Sequence, residues 1–247
     1  MHAVAIVQAR MASTRLPGKV MADLLGRPVL ERIVDRLRSA ESIDEIVIAT
    51  TTSTTDDIVV ELANDLETRW YRGDTHDVLS RYVGAAVESS ADVIVRITGD
   101  CPLVDPVVVD LVTTSLRQQK VAIDLACNTV DLTYPVGLSV QAVFRDTLHR
   151  IDRMAFLSRD REHVLVFATH TEPTLFRRHS VLAESDDSDV RLTVDYPADL
   201  EVVRTIYEAL DLGDRVLPYQ DVVQWLRAHP EVGRQNQHLH TWHPSDD

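Results

Sequence analysis

Apolar blocks alternate with amphipathic stretches through the first half of the chain. Ala3 to Ala9 is an apolar run bounded by Arg10, the pattern of a buried strand. From Pro28 to Ala40, Val29, Leu30, Ile33, Val34 and Leu37 recur at helical spacing behind an early proline, which predicts a helix. Glu45 to Thr50 reads as a second strand, and Thr55 to Leu66 as a helix with Ile58, Val59, Leu62 and Leu66 on one face. Thr68 to Arg72 with His76 to Glu88, and Asp92 to Thr98 with Pro106 to Leu116, repeat the strand–helix pairing twice more. Apolar strands alternating with helices predict an α/β fold with a mostly parallel central sheet covered on both faces. Ligands of such sheets bind beyond the carboxyl ends of the strands, so the loops 10–19, 50–55, 73–77 and 99–105 are where a site is expected.

The pattern changes after about residue 120. Val121 to Cys127 and Leu138 to Phe144 read as strands around the turn-forming Tyr134-Pro135-Val136-Gly137. Helical segments near 145–153 and 160–169 follow, then strand-like runs over 174–183 and Val190 to Val194. Pro197 to Leu210 and Pro218 to His229 complete the helices. With no internal repeat and no low-complexity linker, the expectation is one domain over 1–230 with a β-rich insertion at about 121–185. A polar, His-rich tail is expected over 231–247.

Charge narrows the function classes. The chain has 247 residues and a net charge of −14, which disfavours a general nucleic-acid or anionic-membrane surface. Residues 1–40 nevertheless carry seven basic and three acidic residues, so a basic N-terminal segment could bind a small polyanion. Arg32, Arg36 and Arg38 are expected on a solvated helix face. No apolar run reaches the roughly 18–20 residues that span a bilayer, and the opening residues lack the basic and apolar regions of a signal peptide. Cys101 and Cys127 form no CxxC pair, consistent with two reduced thiols in a cytoplasmic protein.

The loop Gln8-Ala9-Arg10-Met11-Ala12-Ser13-Thr14-Arg15-Leu16-Pro17-Gly18-Lys19 holds the densest chemistry. Three cations, small residues and a glycine directly after a buried strand suit a triphosphate; an ordinary strand–helix loop with solvated arginines fits the spacing equally. It matches neither GxxxxGK[ST] nor GxGxxG. Asp100 stands just beyond the fourth strand, and Asp195 ends the run Val190 to Val194. Carboxylates far apart in sequence but both at strand ends could converge on one Mg²⁺; helix capping is the alternative reading. Capping suits Asp105, directly before Pro106, better. Asp187-Ser188-Asp189 has the DxD form of nucleotide-sugar glycosyltransferases, yet lies in an acidic run that reads more simply as a solvated loop. His238, His240 and His243 fit a polar tail better than a metal site.

The segment AIVQARMASTRLPGKVM resembles the N-terminal motif of the cytidylyltransferase family, which includes CMP-Kdo synthetases, acylneuraminate cytidylyltransferases and spore coat polysaccharide SpsF-type proteins. The likeness continues in order through Ala49-Thr50-Thr51-Thr52, Arg72-Gly73-Asp74 with Asp77-Val78-Leu79 and Arg81-Tyr82, and Arg96-Ile97-Thr98-Gly99-Asp100-Cys101-Pro102-Leu103. Arg161-Glu162-His163-Val164 and Arg191-Leu192-Thr193-Val194-Asp195-Tyr196-Pro197 complete it. The resemblance implies a Rossmann-like nucleotidyltransferase fold and transfer of CMP from CTP to a small acceptor, with pyrophosphate released. It implies Mg²⁺ on Asp100 and Asp195, and Arg10, Ser13, Arg15 and Lys19 around the triphosphate. Arg15 and Lys19 then face the leaving pyrophosphate, and a homodimer is expected. No general base stands out; His163 reads first as structural. SpsF-type relatives carry Pro-Asp-Gly-Leu-Asp-Val-Glu where this chain has Pro135-Val136-Gly137-Leu138-Ser139-Val140-Gln141. A different acceptor is therefore expected: a sugar acid, or a phosphonate headgroup. A non-catalytic nucleotide-binding protein and a glycosyltransferase are the competing classes.

Overall fold

Seven strands form one sheet in the computed structural model, which describes residues 1–118, 122–213 and 215–241. They are β1 (Ala3–Gln8), β2 (Glu45–Thr51), β3 (Arg69–Gly73), β4 (Val93–Thr98), β5 (Leu125–Cys127), β6 (Gln141–Phe144) and β7 (Arg178–Ser180), in spatial order β3-β2-β1-β4-β6-β5-β7. β1 pairs in parallel with β2 and β4, and β2 with β3. β6 runs antiparallel to β4 and β5, and β5 pairs in parallel with β7. The α/β, mostly parallel architecture expected from the alternating pattern is therefore present, and the strands between 122 and 185 extend the same sheet at one edge.

The helices are α1 (Val29–Leu37), α2 (Asp57–Asp65), α3 (Val78–Glu88), α4 (Pro106–Gln118), α5 (Arg145–Met154), α6 (Ser158–Glu162), α7 (Pro197–Ala209), α8 (Tyr219–Ala228) and α9 (Pro230–Gly233). Successive side chains of β1 point to opposite faces, and both faces are covered. Ala3, Ala5 and Val7 join a core with α1, α4, α7 and α8. Val4 and Ile6 join a second core with α3 and α5. Parallel pairing sets the ends of β1 and β4 level, with Gln8 opposite Thr98, so their following loops open side by side.

Several segments depart from the sequence expectation. Arg32 and Arg36 are not on a solvated face but buried, and each ties backbone together. Arg32 donates to the carbonyls of Leu24, Leu25 and Gly213, and Arg36 to those of Val104 and Leu217. Arg38 stays exposed. The run from Val190 to Val194 is not a strand; it forms an isolated parallel bridge, Val136 with Arg191, outside the seven strands. That bridge needs close approach: a Cβ on Gly137, whose φ is +105°, would come within 2.5 Å of the Thr193 nitrogen. The expected helix near 160–169 is divided into α6 and a π-turn over Phe167–Thr171. Of the sequence expectations, Val121, Lys120 and His243 lie outside the described residues.

Candidate active site

The loop after β1 lies over the carboxyl end of the sheet and is fastened from below. The Met11 amide donates to Asp56 Oδ1 at 2.7 Å, and the Thr51 hydroxyl holds the other oxygen of that buried carboxylate. The Gly18 amide donates to the Met11 carbonyl at 2.9 Å, closing the loop, and Gly18 takes a left-handed conformation with φ +71°. A single 3₁₀ turn over Lys19–Met21 follows, anchored by the buried Val20. Lys19 therefore leaves a braced segment.

Its ammonium joins two carboxylates that sequence separates widely. Lys19 Nζ donates to Asp100 Oδ2 at 2.8 Å and to Asp195 Oδ1 at 2.7 Å. Arg15 Nη2 reaches the same Asp195 oxygen at 2.8 Å and stacks over the Tyr196 ring at 5.2 Å. The two acidic segments are also linked through backbone. The Val194 amide and the Thr193 hydroxyl both donate to the Asp100 carbonyl, at 2.8 and 3.1 Å. A Cβ on Gly99 would come within 2.6 Å of the Gln8 carbonyl oxygen, so a glycine lets the chain pass β1 on its way to Asp100.

Electrostatics keep Lys19 and Asp100 charged. Burial opposes ionisation of Asp100, but the Lys19 charge and the hydrogen bonds from Lys19 and Thr98 outweigh it and hold the carboxyl at about 2. Burial also opposes the Lys19 charge, and here Asp100 and Asp195 prevail and raise its pKa. Burial beside Asp100 pushes the Cys101 thiol well up, so this cysteine is no thiolate nucleophile at neutral pH.

Asp195 is held by a layer that sequence reasoning missed. Asp199 Oδ2 accepts from the backbone amides of Asp195 at 3.0 Å and Tyr196 at 2.9 Å. The same carboxylate takes a bidentate pair from Arg191 at 2.8 and 2.9 Å. Asn236, 1% exposed, donates to Asp199 and to the Arg191 carbonyl, and Thr241 meets the Arg191 guanidinium. Residues 236–241 of the segment expected as a polar tail thus include partners of this network. Asp199→Asn is expected to lower stability by about 3 kcal/mol, because the buried Arg191 loses its bidentate partner and keeps only the Asp195 carboxylate, at 3.6 Å. Burial acts against the Asp199 charge, but Arg191 and the two amides lower its pKa. Its contribution is therefore complete above the usual carboxylate range and fades as pH falls below it. Urea midpoints of the two proteins at pH 7 and pH 4 test both statements; a neutral-pH difference under about 1 kcal/mol would contradict them.

A cleft of about 710 Å³ opens beside these groups, lined by the loop after β1, the end of β4 and residues of α3 and α6. Arg10, Ser13, Arg15, Lys19 and Asp100 all border it, and Asp195 reaches that border through Lys19 and Arg15. Arg10 is also oriented by the Thr75 carbonyl at 3.3 Å and by Glu162 at 3.8 Å. His163 lines the cleft near Glu162. Among the described residues, no group of three or more His, Cys, Asp or Glu is gathered as for a metal. Magnesium commonly takes only one or two protein carboxylates and completes its shell with phosphate and water, so Asp100 and Asp195 suit it as a pair. Asp105 is a cap, accepting from the Val107 amide at 2.8 Å and the Tyr219 amide at 2.7 Å. Asp187 and Asp189 are engaged by Arg227 and do not border the cleft, which removes the structural support for a DxD site. Among the described residues, no helix is long and apolar enough to cross a membrane.

Comparisons with known proteins bear on the family and the fold. Residues 4–212 match the family model described as cytidylyltransferase. The spore coat polysaccharide biosynthesis protein SpsF of Bacillus subtilis is 30% identical over 240 residues, covering 94% of this chain and 97% of that protein. A 3-deoxy-manno-octulosonate cytidylyltransferase of Geobacter metallireducens is 32% identical over 111 residues, 44% of this chain and 42% of its own. A cytidylyltransferase structure from Leptospira borgpetersenii superposes with a TM-score of 0.90 at 28% identity, covering 98% of this chain and all of that one. The structure of a CMP:2-keto-3-deoxy-manno-octonic acid synthetase complexed with CTP shares the fold, with a TM-score of 0.65 at 20% identity over 86% of this chain and all of that one.

Proposed function

This chain belongs to the cytidylyltransferase family, and from that premise we propose that it transfers CMP from CTP to a small acceptor, releasing pyrophosphate. The observation that carries the reading is the single ammonium of Lys19 shared by Asp100 and Asp195 at the mouth of the cleft, with Arg15 beside it. A site that stores two carboxylates and two cations in mutual contact can exchange partners when a triphosphate and a divalent cation arrive together. The cations turn to phosphate, and the carboxylates are freed for the metal.

In the reaction, an acceptor oxygen bonds to the α-phosphorus as the bond from that phosphorus to the bridging oxygen of pyrophosphate breaks. The acceptor hydroxyl gives up its proton to solvent water, and the departing oxygen leaves as the anionic oxygen of pyrophosphate. Arg10, Ser13 and the loop amides hold the triphosphate, while Arg15 and Lys19 face the pyrophosphate and neutralise the charge it develops. Asp100 and Asp195 would hold Mg²⁺, which supplies Lewis-acid neutralisation of phosphate oxygens. A sugar acid is the favoured acceptor, supported by the name of the Geobacter relative; a phosphonate is the alternative. The altered run Pro135 to Gln141 lies outside the loop after β1 and bears first on the acceptor, with Gln141 reaching the cleft wall through Arg96 at 2.9 Å. A homodimer in the cytoplasm fits the same reading.

With Mg²⁺ present, CTP is expected to raise the melting temperature more than ATP, GTP or UTP, and pyrophosphate release across an acceptor panel to require CTP. Equal shifts from all four nucleotides, or a larger shift from an intact nucleotide sugar, would remove this assignment.

A further inference from the structure

Arg81, on α3, is the largest of the fully buried side chains, with 2% of its surface exposed. Its Nε and Nη1 are buried without a hydrogen-bond partner, and no ion pair reaches it from the described residues. Guanidinium does not shed its proton in a protein, so the charge cannot be relieved by deprotonation. An unpaired charge in this position is strongly unfavourable in a protein standing alone. Yet the fold makes room for it: a Cβ on Gly73, at the end of β3, would come within 2.6 Å of Arg81 Cγ.

Arg81 borders the same cleft as the loop after β1, together with Gln8, Val78 and Arg96. Arg96 repeats the pattern. Its Nε is also buried and unpartnered, and its other nitrogens meet only neutral amides, Gln141 Oε1 at 2.9 Å and Gln8 Oε1 at 3.3 Å. Arg10 adds a third positive charge that acts on Arg81. The nearby carboxylates are committed elsewhere: Asp56 to the Met11 amide and Thr51, Asp74 to the amides of His76 and Asp77. Among the described residues, no carboxylate pairs directly with Arg81 or Arg96 in this inner wall of the cleft, and Asp56 and Asp74 act on Arg81 only from a distance.

We propose that Arg81, supported by Arg96, forms an oxyanion subsite in this inner wall, filled by an acid group of the acceptor or by a phosphate of the nucleotide. The subsite deepens the transferase reading and rests on it only for which molecule brings the oxyanion. It also accounts for a buried charge being retained, since stability given up in the empty protein is regained when ligand binds.

The test uses inorganic phosphate as the probe, with Arg81→Met and Arg81→Lys beside the wild type. In phosphate-free buffer, Arg81→Met should melt at the wild-type temperature or a few degrees above it. Phosphate should raise the wild-type melting temperature, and the methionine variant should lose most of that rise while the lysine variant keeps part of it. Repeating the titration with saturating CTP and Mg²⁺ separates the sources. A phosphate response that survives CTP and still depends on Arg81 assigns the subsite to the acceptor. A response abolished by CTP, with CTP affinity at least tenfold weaker in Arg81→Met, assigns it to the nucleotide. The proposal is overturned if wild type does not respond to phosphate, if both proteins respond equally, or if Arg81→Met melts well below wild type in phosphate-free buffer. Should CTP fail to bind while the phosphate response remains Arg81-dependent, the CTP reading falls and the subsite stands.

Discussion

Asp100→Ala is expected to lower CTP-dependent pyrophosphate release by about 10³-fold, the scale on which preorganised charge acts at a phosphoryl centre. Three features direct that expectation to Asp100. It follows β4 directly, its carboxyl is held at about 2, and Lys19 contacts it at 2.8 Å. It is thus fully ionised at any working pH and already lies against the group expected to contact pyrophosphate. Folding should suffer less than turnover, because Lys19 keeps Asp195 as a partner at 2.7 Å. Asp100→Asn should be impaired almost as severely, since an amide keeps the shape but not the charge. Steady-state release measured with a melting curve of each variant separates the two effects. Turnover within about tenfold of wild type in a folded Asp100→Ala protein would remove Asp100 from the chemistry.

Lys19→Met should have a comparable effect on turnover, about 10²-fold or more, and a distinctive effect on pH dependence. With the ammonium gone, Asp100 and Asp195 face one another across the space it occupied. Like charges at that separation raise one of the two proton affinities. The sign of the linkage then reverses. In wild type, the lowered Asp100 pKa supplies stability that is complete above about pH 4 and is lost as pH falls toward 2. In the variant, the raised carboxyl pKa supplies stability at low pH that disappears as pH rises through it. At pH 7 the penalty should be about 2 kcal/mol, reduced from the fully buried case because Asp100 is partly accessible. Adding Mg²⁺ without nucleotide should restore much of it. Urea unfolding between pH 4 and 8, with and without Mg²⁺, reads all of this. A variant whose stability still rises with pH and ignores Mg²⁺ would show that Lys19 does not mediate between the carboxylates.

Much of the architecture is legible in the residues because it depends on local period. The apolar run of β1 and the helical spacing of α1 each report their own burial. Lys19 and Asp100 were also accessible, since strand–loop order places them at the same end of the sheet, whereas Asp195 follows a run that is not a strand and its place rested on the family resemblance. What escaped the sequence depends on partners supplied from far away. Arg32 and Arg36 read as solvated because the carbonyls that bury them, such as those of Gly213 and Leu217, are 181 residues distant. Val190 to Val194 has strand composition, yet its backbone amides at Leu192 and Val194 go to Val136 and Asp100 instead of to a neighbouring strand. Asp199 resembles any first-turn acidic residue of a helix, and only Arg191 and Asn236 reveal that it holds Asp195. Arg81 sits in an amphipathic helix where an arginine is unremarked, and its isolation appears only in three dimensions.

The contact between Lys19 and Asp195 joins residues 176 positions apart. A chain emerging from the ribosome makes its anion-binding turn first and receives the second acid only after most of its length has been synthesised. Until then the nascent protein has lysine and arginine at the sheet end without the counter-charge they meet in the finished fold. Its competence as a catalyst, and its freedom from stray polyanions, would therefore both arise late, in the closing stage of folding.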